Sequence, residues 1–280
     1  MKLVRTIAAM REARAPLDAP FGFVPTMGAL HEGHLSLVRL ARERCPRVAA
    51  SIFVNPTQFN DKRDLERYPR DLERDAEMLR GAGCDVVFVP EPGEIYPEGF
   101  STAIDVGPVT RPLEGSMRPG HFNGVAVVVT KLLNIVRPSH AVFGQKDAQQ
   151  LAVIRRMVRD LDLAVEIVAG PTMREADGLA MSSRNALLTV EDRAAAPVLY
   201  RALTSARDAH AAGERDGEAL RARMTVLLKA EPRAAAEYVS VADPTTLAEL
   251  DRVGPVGALA SLAVRFGAVR LIDNVVLPPS

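Results

Sequence analysis

Apolar runs alternate with helix-like stretches through the first 170 residues of the chain. Five runs are almost continuously apolar, which is typical of parallel strands buried on both faces. They cover residues 21–24, 48–54, 85–90, 140–143 and 163–168. Before and between these runs, apolar residues recur at helical spacing in five stretches. They are 7–14, a stretch that begins near 33, 71–79, a stretch that ends at 136, and 148–160. This alternation predicts an α/β fold with a doubly wound, Rossmann-like parallel sheet.

A change in composition marks a second region. From about residue 190 to 230 the chain is rich in Ala, Arg and Glu, and short strand-like runs follow near 238–241, 260–265 and 269–272. We therefore expect an N-terminal Rossmann-like domain over 1–172 and a smaller C-terminal α+β domain over 173–280. The charged stretch 61–70 and the Pro- and Gly-rich stretch 91–120 are expected to be loops.

Charge and length narrow the class of protein. The 280 residues include 35 basic and 35 acidic side chains, so no net charge favours nucleic acid or an anionic membrane. Two cysteines without a paired motif favour a reducing compartment. The longest strongly apolar run, 125–129, is too short to cross a bilayer, and the amino terminus has no signal-peptide core. We expect a cytoplasmic protein that binds neither nucleic acid nor membrane.

The first candidate site lies between the strand at 21–24 and the next helix. Gly28 and Gly33 allow the backbone to approach a ligand, and His31 and His34 add imidazoles to the same loop. A helix that begins near Gly33 directs backbone N–H groups and its positive dipole end at the loop, which favours phosphate. Zinc ligation is an alternative, although no third ligand lies nearby in sequence. In a purely structural alternative, His34 caps the helix and His31 lies in the loop.

Three further loops follow strands or turns and carry polar side chains. Asn55 and Gln58 follow the second predicted strand, at the end where open α/β sheets bind ligands. Lys146 follows the strand at 140–143 and can contact a phosphate as a point charge. Ser182, Ser183 and Arg184 combine two hydroxyls with a guanidinium. Simple turns, a helix capping box at Asp147 and Gln150, and an N-cap at Ser182 are the structural alternatives. His121 is a weaker candidate that ends a long loop.

Phosphate-binding loops without a P-loop lysine-serine pair favour a nucleoside triphosphate that is attacked at its α-phosphate. Histidines and cations around the phosphates stabilise charge on the leaving pyrophosphate. We expect Mg²⁺ on the triphosphate, held mainly by phosphate oxygens and water. No residue of the chain is assigned as a metal ligand.

Four stretches together resemble one enzyme family, the pantothenate synthetases (pantoate-β-alanine ligases). They are PTMGALHEGHLSL (25–37), FVNPTQF (53–59), GQKDAQQ (144–150) and READGLAMSSRN (174–185). The resemblance covers the length of the chain and implies the HIGH-loop nucleotidyltransferase superfamily, with 31–34 as the HIGH loop and 181–184 as the KMSKS-like loop. Gln145 and Thr57 depart from the residues that many members have, Glu and Met, at positions that are not catalytic.

The resemblance implies an ATP-driven condensation of pantoate with β-alanine through a bound pantoyl adenylate, with release of AMP and pyrophosphate. It implies a catalytic role for His34, His31 and Lys146, with His34 as proton donor, and binding of pantoate by Gln58, Gln150 and Asn55. It also implies a homodimer. Because an acyl adenylate hydrolyses easily, we expect a lid over it, and the candidate segments are 55–70 and 174–185. The implied ATP-binding residues are Met27, Gly28, Ala29, Leu30, His31, Glu32, Gly33, His34, Gly144, Gln145, Lys146, Asp147, Met173, Met181, Ser182, Ser183 and Arg184.

Two other functions use the same loops. One is nucleotidyl transfer to a different acceptor, without amide formation, but a phosphate-bearing acceptor favours more Arg or Lys where this chain has Gln58 and Gln150. The other is a non-enzymatic nucleotide sensor, which needs neither Lys146 nor two loop histidines. ATP binding without release of pyrophosphate distinguishes the sensor from both enzymes.

Overall fold

The chain forms two compact units in a computed structural model that describes residues 1–17, 20–60 and 62–279. The first unit runs up to Gly144 and resumes from Val153 to Pro171. The second contains Gln145–Ala152 and the chain from Thr172 onward. Residues 145–152, which the sequence analysis assigned to the N-terminal domain, thus have most of their contacts with the C-terminal part of the chain.

A parallel sheet forms the centre of the first unit, and six strands belong to it in the described part of the chain. Its order is β1-β4-β3-β2-β5-β6, and every neighbouring pair is parallel. The predicted parallel sheet is confirmed. The strands are β1 Lys2–Val4, β2 Phe21–Thr26, β3 Arg47–Ile52, β4 Val86–Phe88, β5 His140–Gly144 and β6 Glu166–Gly170.

β1 is the strand that the hydrophobic pattern missed. It lies at the edge of the sheet, is three residues long, and buries only Val4. An edge strand this short and exposed leaves no continuous apolar run, which explains the miss. The last strand of the sheet, predicted at 163–168, begins and ends later, at Glu166–Gly170.

Helices connect the strands of the first unit. Helices predicted at 7–14 and 148–160 have those bounds, and Asp71 caps α4 as predicted. Residues 62–67 form a helix where a loop was predicted, because a short, highly charged helix lacks an apolar face; Asp61 lies outside the described residues. The helices are α1 Ile7–Arg14, α2 Glu32–Arg44, α3 Lys62–Arg67, α4 Leu72–Gly81, α5 Pro92–Ile95, α6 Glu114–Met117, α7 His121–Val136 and α8 Ala148–Asp160, with 3-10 turns at Pro56–Gln58 and Gly107–Thr110.

Side chains of the sheet alternate between two apolar layers, as the two-residue period of strands requires. Val24, Val48 and Val87 pack with Val38 of α2 and Leu79 of α4 in one buried cluster. On the other side, α7 contacts β2 and α1. The chain leaves β2 toward β3 on one side, whereas β5 pairs with β2 on the other. The carboxyl ends of β2 and β5 are therefore the topological switch point, where open parallel sheets bind ligands.

The second unit packs helices on an antiparallel sheet of order β7-β8-β9, which confirms the predicted small α+β region. Its strands are longer than predicted because each continues past its most apolar residues. Its core includes Leu199, Leu203, Leu220, Leu262 and Phe266, all fully or almost fully buried. The elements are α9 Val190–Ala195, α10 Val198–Ala211, α11 Gly217–Lys229, β7 Ala235–Ala242, β8 Ala258–Phe266 and β9 Val269–Leu277, with 3-10 turns at Gln145–Asp147 and Ser183–Leu187.

Candidate active site

The carboxyl end of β2 leads into a tight turn at Gly28 and Ala29. Both residues have positive φ, 82° and 51°. Thr26 ties the turn to β3, because its Oγ1 donates to the Ser51 carbonyl at 2.7 Å and accepts the Gly28 N–H at 3.2 Å. Glycine adopts positive φ easily, whereas an L-alanine loses about 1–2 kcal/mol there. Other contacts must therefore hold Ala29 in place.

Asp75 of α4 provides these contacts. Its carboxylate accepts the Ala29 N–H at 2.8 Å and the Leu30 N–H at 2.9 Å, and its side chain is buried. Hydrogen bonds to an ionised group are about twice as strong as neutral ones. A Cβ on Gly28 would lie 2.9 Å from Asp75 Oδ2, so only glycine allows the carboxylate to come this close. Sequence analysis placed 71–79 in a helix and missed this role, because nothing local to Asp75 indicates a partner 45 residues away.

His31 and His34 form a reciprocal capping box at the start of α2. Nδ1 of His31 accepts the Gly33 N–H at 3.1 Å, and Nδ1 of His34 accepts the His31 N–H at 3.3 Å. Their ring centroids lie 4.1 Å apart. An Nδ1 that accepts an N–H carries no proton, so each neutral ring has its proton on Nε2. The capping alternative is thus correct for His34, whereas His31, which that alternative placed only in the loop, is itself the N-cap residue. Both rings have an Nε2–H donor beside the positive end of α2.

Asn55 lies buried after β3 and sets the orientation of Gln58. Its Oδ1 accepts hydrogen bonds from Tyr96 Oη at 2.7 Å and Thr57 Oγ1 at 3.0 Å. Its Nδ2 therefore faces the other way and donates to Gln58 Oε1 at 3.0 Å and to the Gly124 carbonyl at 3.2 Å. Gln58 Nε2 is therefore the donor end of that amide, and it lies 3.1 Å from Met27 Sδ. The structure thus joins the Asn55–Gln58 pair to the turn after β2.

Tyr96 was missed by the sequence analysis, which treated 91–120 as a loop. Burial raises the pKa of Tyr96, and hydrogen bonds with Thr57 and Asn55 only partly oppose that effect. The phenol therefore remains an O–H donor to Asn55 at neutral pH. A Tyr in a Pro- and Gly-rich stretch gives no sequence signal for such a role.

His121 contacts the backbone of the same turn. Its Nδ1 donates to the Gln58 carbonyl at 2.9 Å, which Arg118 Nη2 also approaches at 3.2 Å. His121 is buried at the start of α7. Gly124, one turn later, packs against the backbone of Thr57 and Gln58. The His121 side chain thus supports the backbone of Gln58. This is a structural role for a residue that was a weak ligand candidate.

In the second unit, Lys146 lies in the 3-10 turn before α8. Its side chain is mostly buried, and Nζ lies 3.6 Å from Asp147 Oδ1. Asn274 of β9 holds the backbone of the turn: its Nδ2 donates to the carbonyls of Gln145 at 3.0 Å and Lys146 at 2.8 Å. Gln150 follows, half-buried, in the first turn of α8. Asn274 was also missed, since it lies 128 residues from Lys146 in sequence.

The KMSKS-like stretch is held by a β-bridge between Arg174 and Ala180, with the Met181 N–H donating to the Met173 carbonyl at 2.9 Å. The two methionines predicted for the nucleotide site are therefore neighbours. Ser182 Oγ accepts the Arg184 N–H at 3.3 Å, so it is the N-cap that the structural alternative described. Arg184 is exposed, and Ser183 is half-buried.

The predicted residues fall into two groups. In the first unit the structure brings together the turn from Met27 to His34 with Asn55 and Gln58, while Gly144 ends β5 beside β2. The second unit contains the Lys146 turn, Gln150, and the stretch from Met173 to Arg184. Within residues 1–17, 20–60 and 62–279, no three His, Cys, Asp or Glu side chains are grouped as metal ligands. None of the helices described there is long and apolar enough to cross a membrane.

A family model described as pantoate-beta-alanine ligase matches residues 2–276. The chain belongs to the pantoate-β-alanine ligase family. Its predicted identity as a ligase is confirmed, and so is the resemblance drawn from the four stretches.

Relatives within the pantoate-β-alanine ligase family are similar over their whole length. The pantothenate synthetase of Chloroflexus aggregans is 61% identical over 274 residues, which is 98% of this chain and 99% of that one. The pantothenate synthetase of Herpetosiphon aurantiacus is 58% identical over 99% of this chain and 100% of that one.

Solved structures of pantoate-β-alanine ligases are similar to this chain in fold over nearly its whole length. A pantothenate synthetase from Thermus thermophilus matches with a TM-score of 0.94 and 50% identity, covering 100% of both chains. A pantoate-beta-alanine ligase from Francisella tularensis, in complex with beta-gamma ATP and β-alanine, matches with a TM-score of 0.81 and 35% identity over 99% and 97% of the two chains.

Proposed function

We propose that the chain condenses pantoate with β-alanine to form pantothenate at the expense of ATP. Pantoyl adenylate is the intermediate, and AMP and pyrophosphate are released. The observation that carries the proposal is the capping box of His31 and His34 at the carboxyl end of β2, in a chain that belongs to a pantoate-β-alanine ligase family. The Francisella tularensis relative, solved with beta-gamma ATP and β-alanine, supports the same substrates.

In the first step, a carboxylate oxygen of pantoate attacks the α-phosphorus of ATP, and the bond to pyrophosphate breaks. The Nε2–H groups of His31 and His34 can donate to phosphate oxygens, because each Nδ1 accepts a backbone N–H and leaves the ring proton on Nε2. For His34, the proton-donor role that the resemblance implies is then that of a hydrogen-bond donor, through Nε2–H, to the leaving pyrophosphate. Donors fixed before the reaction stabilise developing charge at little reorganisation cost.

Pantoate is held by the amides of Gln58 and Gln150, with Asn55 organising the first of them. Asn55 engages Gln58 Oε1, so Gln58 offers N–H donors that match the carboxylate and hydroxyl oxygens of a small hydroxy acid. A neutral amide aligns the carboxylate without the strong ion pair that would weaken it as a nucleophile. Alignment alone can supply about 7–11 kcal/mol of a barrier.

ATP is bound by the remaining predicted residues. Lys146 contacts phosphate and Asp147 contacts ribose, and the short Lys146 to Asp147 contact supports a defined position for both. The turn from Met27 to Leu30, Glu32 and Gly33, with Gly144, Gln145, Met173, Met181, Ser182, Ser183 and Arg184, completes the nucleotide-binding set. Mg²⁺ enters as MgATP, held by phosphate oxygens and water, the ligands that this ion prefers.

In the second step, the amine of β-alanine attacks the acyl carbon of the adenylate. The C–O bond to AMP breaks, the amide bond forms, and the nitrogen loses a proton. Water competes for the same acyl carbon, so closure of a lid is expected. We assign the lid to residues 55–70 and 174–185 and to a C-terminal domain over 173–280, which follows an N-terminal domain over 1–172 along the chain; Asp61 lies outside the described residues. A cytoplasmic homodimer is the form that the family resemblance favours.

Release of pyrophosphate tests this function. ATP, Mg²⁺ and pantoate are incubated with the protein, with and without β-alanine, while pyrophosphate, AMP and amide product are followed. We expect pantoate-dependent pyrophosphate release, with sustained turnover to AMP and pantothenate only when β-alanine is present. Folded, ATP-binding protein that releases no pyrophosphate with pantoate contradicts the proposal and favours another acceptor or a sensor.

A further inference from the structure

The strand β9 carries two adjacent polar residues that are almost fully buried, Asp273 and Asn274. Buried polar side chains are retained where their hydrogen bonds are satisfied, and each of these two has a defined set of partners. Neither belongs to the predicted nucleotide-binding set. Both contact loops that do.

Asn274 is fully engaged by the turn that carries Lys146. Its Nδ2 donates both hydrogens, one to the Gln145 carbonyl and one to the Lys146 carbonyl, at 3.0 and 2.8 Å. Its Oδ1 accepts from Gln145 Nε2 at 3.3 Å. One amide therefore determines where two consecutive peptide carbonyls point. Because Lys146 is part of this backbone, its Cα position and the direction of its side chain depend on Asn274.

Asp273 holds the start of the segment 174–185, which contains the KMSKS-like loop at 181–184. Its carboxylate pairs with both terminal nitrogens of Arg174, at 2.6 and 3.0 Å. The same guanidinium donates to the Gly178 carbonyl at 3.1 Å and to the Asn274 carbonyl at 3.3 Å, and it stacks 4.0 Å from the centroid of the Tyr200 ring. A planar, bidentate Arg contact fixes orientation as well as distance. The bridge between Arg174 and Ala180 then continues to Met181.

We propose that Asp273 and Asn274 are positioning residues for nucleotide binding, because one rigid strand holds both the Lys146 turn and the Arg174 segment. β9 is a suitable base, since it pairs with β8 along its whole length in a buried core. The two loops then keep a fixed relation to each other through their shared contacts with β9. This inference rests on the proposed function in one respect, the contact of Lys146 with ATP phosphates.

Asn274 is the better residue to test. Removing one partner of the buried Asp273–Arg174 pair leaves an uncompensated buried charge, which can unfold the unit. Asn274 is neutral, and N274A removes its contacts with the turn without stranding a charge. Ser261 is a matched control, because it lies directly opposite Asn274 on β8, is buried, and has no hydrogen-bond partner for its hydroxyl within the described residues.

The first readout is ATP kinetics. We expect N274A to lower kcat/KM for ATP about tenfold or more, because a displacement of about 1 Å can cost a hundredfold, while the KM for β-alanine stays unchanged. S261A should match the wild type. Wild-type ATP kinetics in folded N274A overturn the proposal. If N274A is poorly folded, N274S keeps one donor and should show a smaller loss of the same kind; wild-type kinetics in N274S also overturn it.

The second readout separates positioning from general stability. The Kd of MgATP, measured without pantoate, is compared in the wild type, N274A, K146A and the double variant. If Asn274 acts through Lys146, N274A weakens binding strongly in the wild type and little in the K146A background; additive losses contradict the proposal. Wild-type protein that binds ATP but releases no pyrophosphate with pantoate contradicts the proposed function instead, and the binding comparison still decides the role of Asn274.

Discussion

Replacement of Gly124 by alanine tests how closely α7 must approach the turn that carries Gln58. An added Cβ would lie 2.5 Å from the Thr57 carbonyl oxygen and 2.9 Å from the Gln58 backbone nitrogen. Real Cβ atoms essentially never come within 3.0 Å of other heavy atoms, so the Thr57 carbonyl must move by about 0.5 Å or more. The neighbours are backbone atoms, so no flexible side chain can absorb the displacement.

Two opposing effects set the expected stability. Alanine in a helix interior is favoured over glycine by about 1 kcal/mol, and overpacking costs about 1–3 kcal/mol. We therefore expect G124A to be neutral to about 2 kcal/mol less stable, although helix propensity alone predicts a gain. Catalysis should also be affected, because Asn55 donates to the Gly124 carbonyl as well as to Gln58. A shift of this size should lower kcat/KM for pantoate about tenfold.

The assay varies pantoate at saturating ATP and β-alanine, and denaturant unfolding gives the free energy of unfolding. The matched control is G81A, at the end of α4, where an added Cβ meets nothing within 4 Å. G81A should keep wild-type kinetics and be as stable as the wild type or up to about 1 kcal/mol more stable, because helix propensity acts there without a steric cost. G124A with wild-type kcat/KM for pantoate refutes the link between helix approach and Gln58, whatever its stability. A more stable G124A refutes the steric argument itself.

Three further predictions concern charges and the site. K146A should lower pantoate-dependent pyrophosphate release by about 10²–10³-fold with an unchanged circular dichroism spectrum, and near-normal turnover contradicts the phosphate contact. H34A should reduce adenylate formation more than attack of β-alanine on preformed adenylate; equal losses in the two half-reactions indicate a binding role only. Burial raises the pKa of Glu237, but hydrogen bonds from Arg270 and Arg265 outweigh that effect and lower it below its ordinary value of 4.5. The ionised carboxylate thus stabilises the fold above about pH 4.5, and this contribution is lost as pH falls through the lowered pKa. E237Q should cost about 1 kcal/mol in free energy of unfolding at pH 7 and progressively less below pH 4.5, and a cost that does not change with pH contradicts the assignment.

The hydrophobic pattern predicted most of the first unit because parallel strands covered on both faces must be apolar throughout. That requirement concerns neighbouring residues, so the strands at 21–24 and 48–54 can be predicted from the sequence alone. It fails for β1, where only Val4 is buried, and for α3, which is short and charged. The motif residues were also legible, since glycines and histidines in a strand-loop-helix crossing have a direct chemical interpretation.

The residues that support the candidate site could not be predicted from the sequence. Asp75, Tyr96 and Asn274 each hold a site loop through hydrogen bonds to residues between 41 and 128 positions away in sequence. For Asp75 and Asn274 the bonded group is a backbone N–H or C=O, which almost every residue offers. A side chain that binds such groups needs no particular partner type, so no sequence pattern marks the pairing.

By itself, then, the sequence determined most of the strands and helices, the apolar faces, and the candidate groups for binding a nucleotide and a small acid. The tertiary structure alone decided the orientation of the Gln58 amide between Asn55 and Met27, the proton position on His31 and His34, and the anchoring of Lys146 to β9. The physical reason is that composition and periodicity are properties of neighbouring residues, whereas the orientation of an amide or an imidazole depends on which donors and acceptors the fold places beside it.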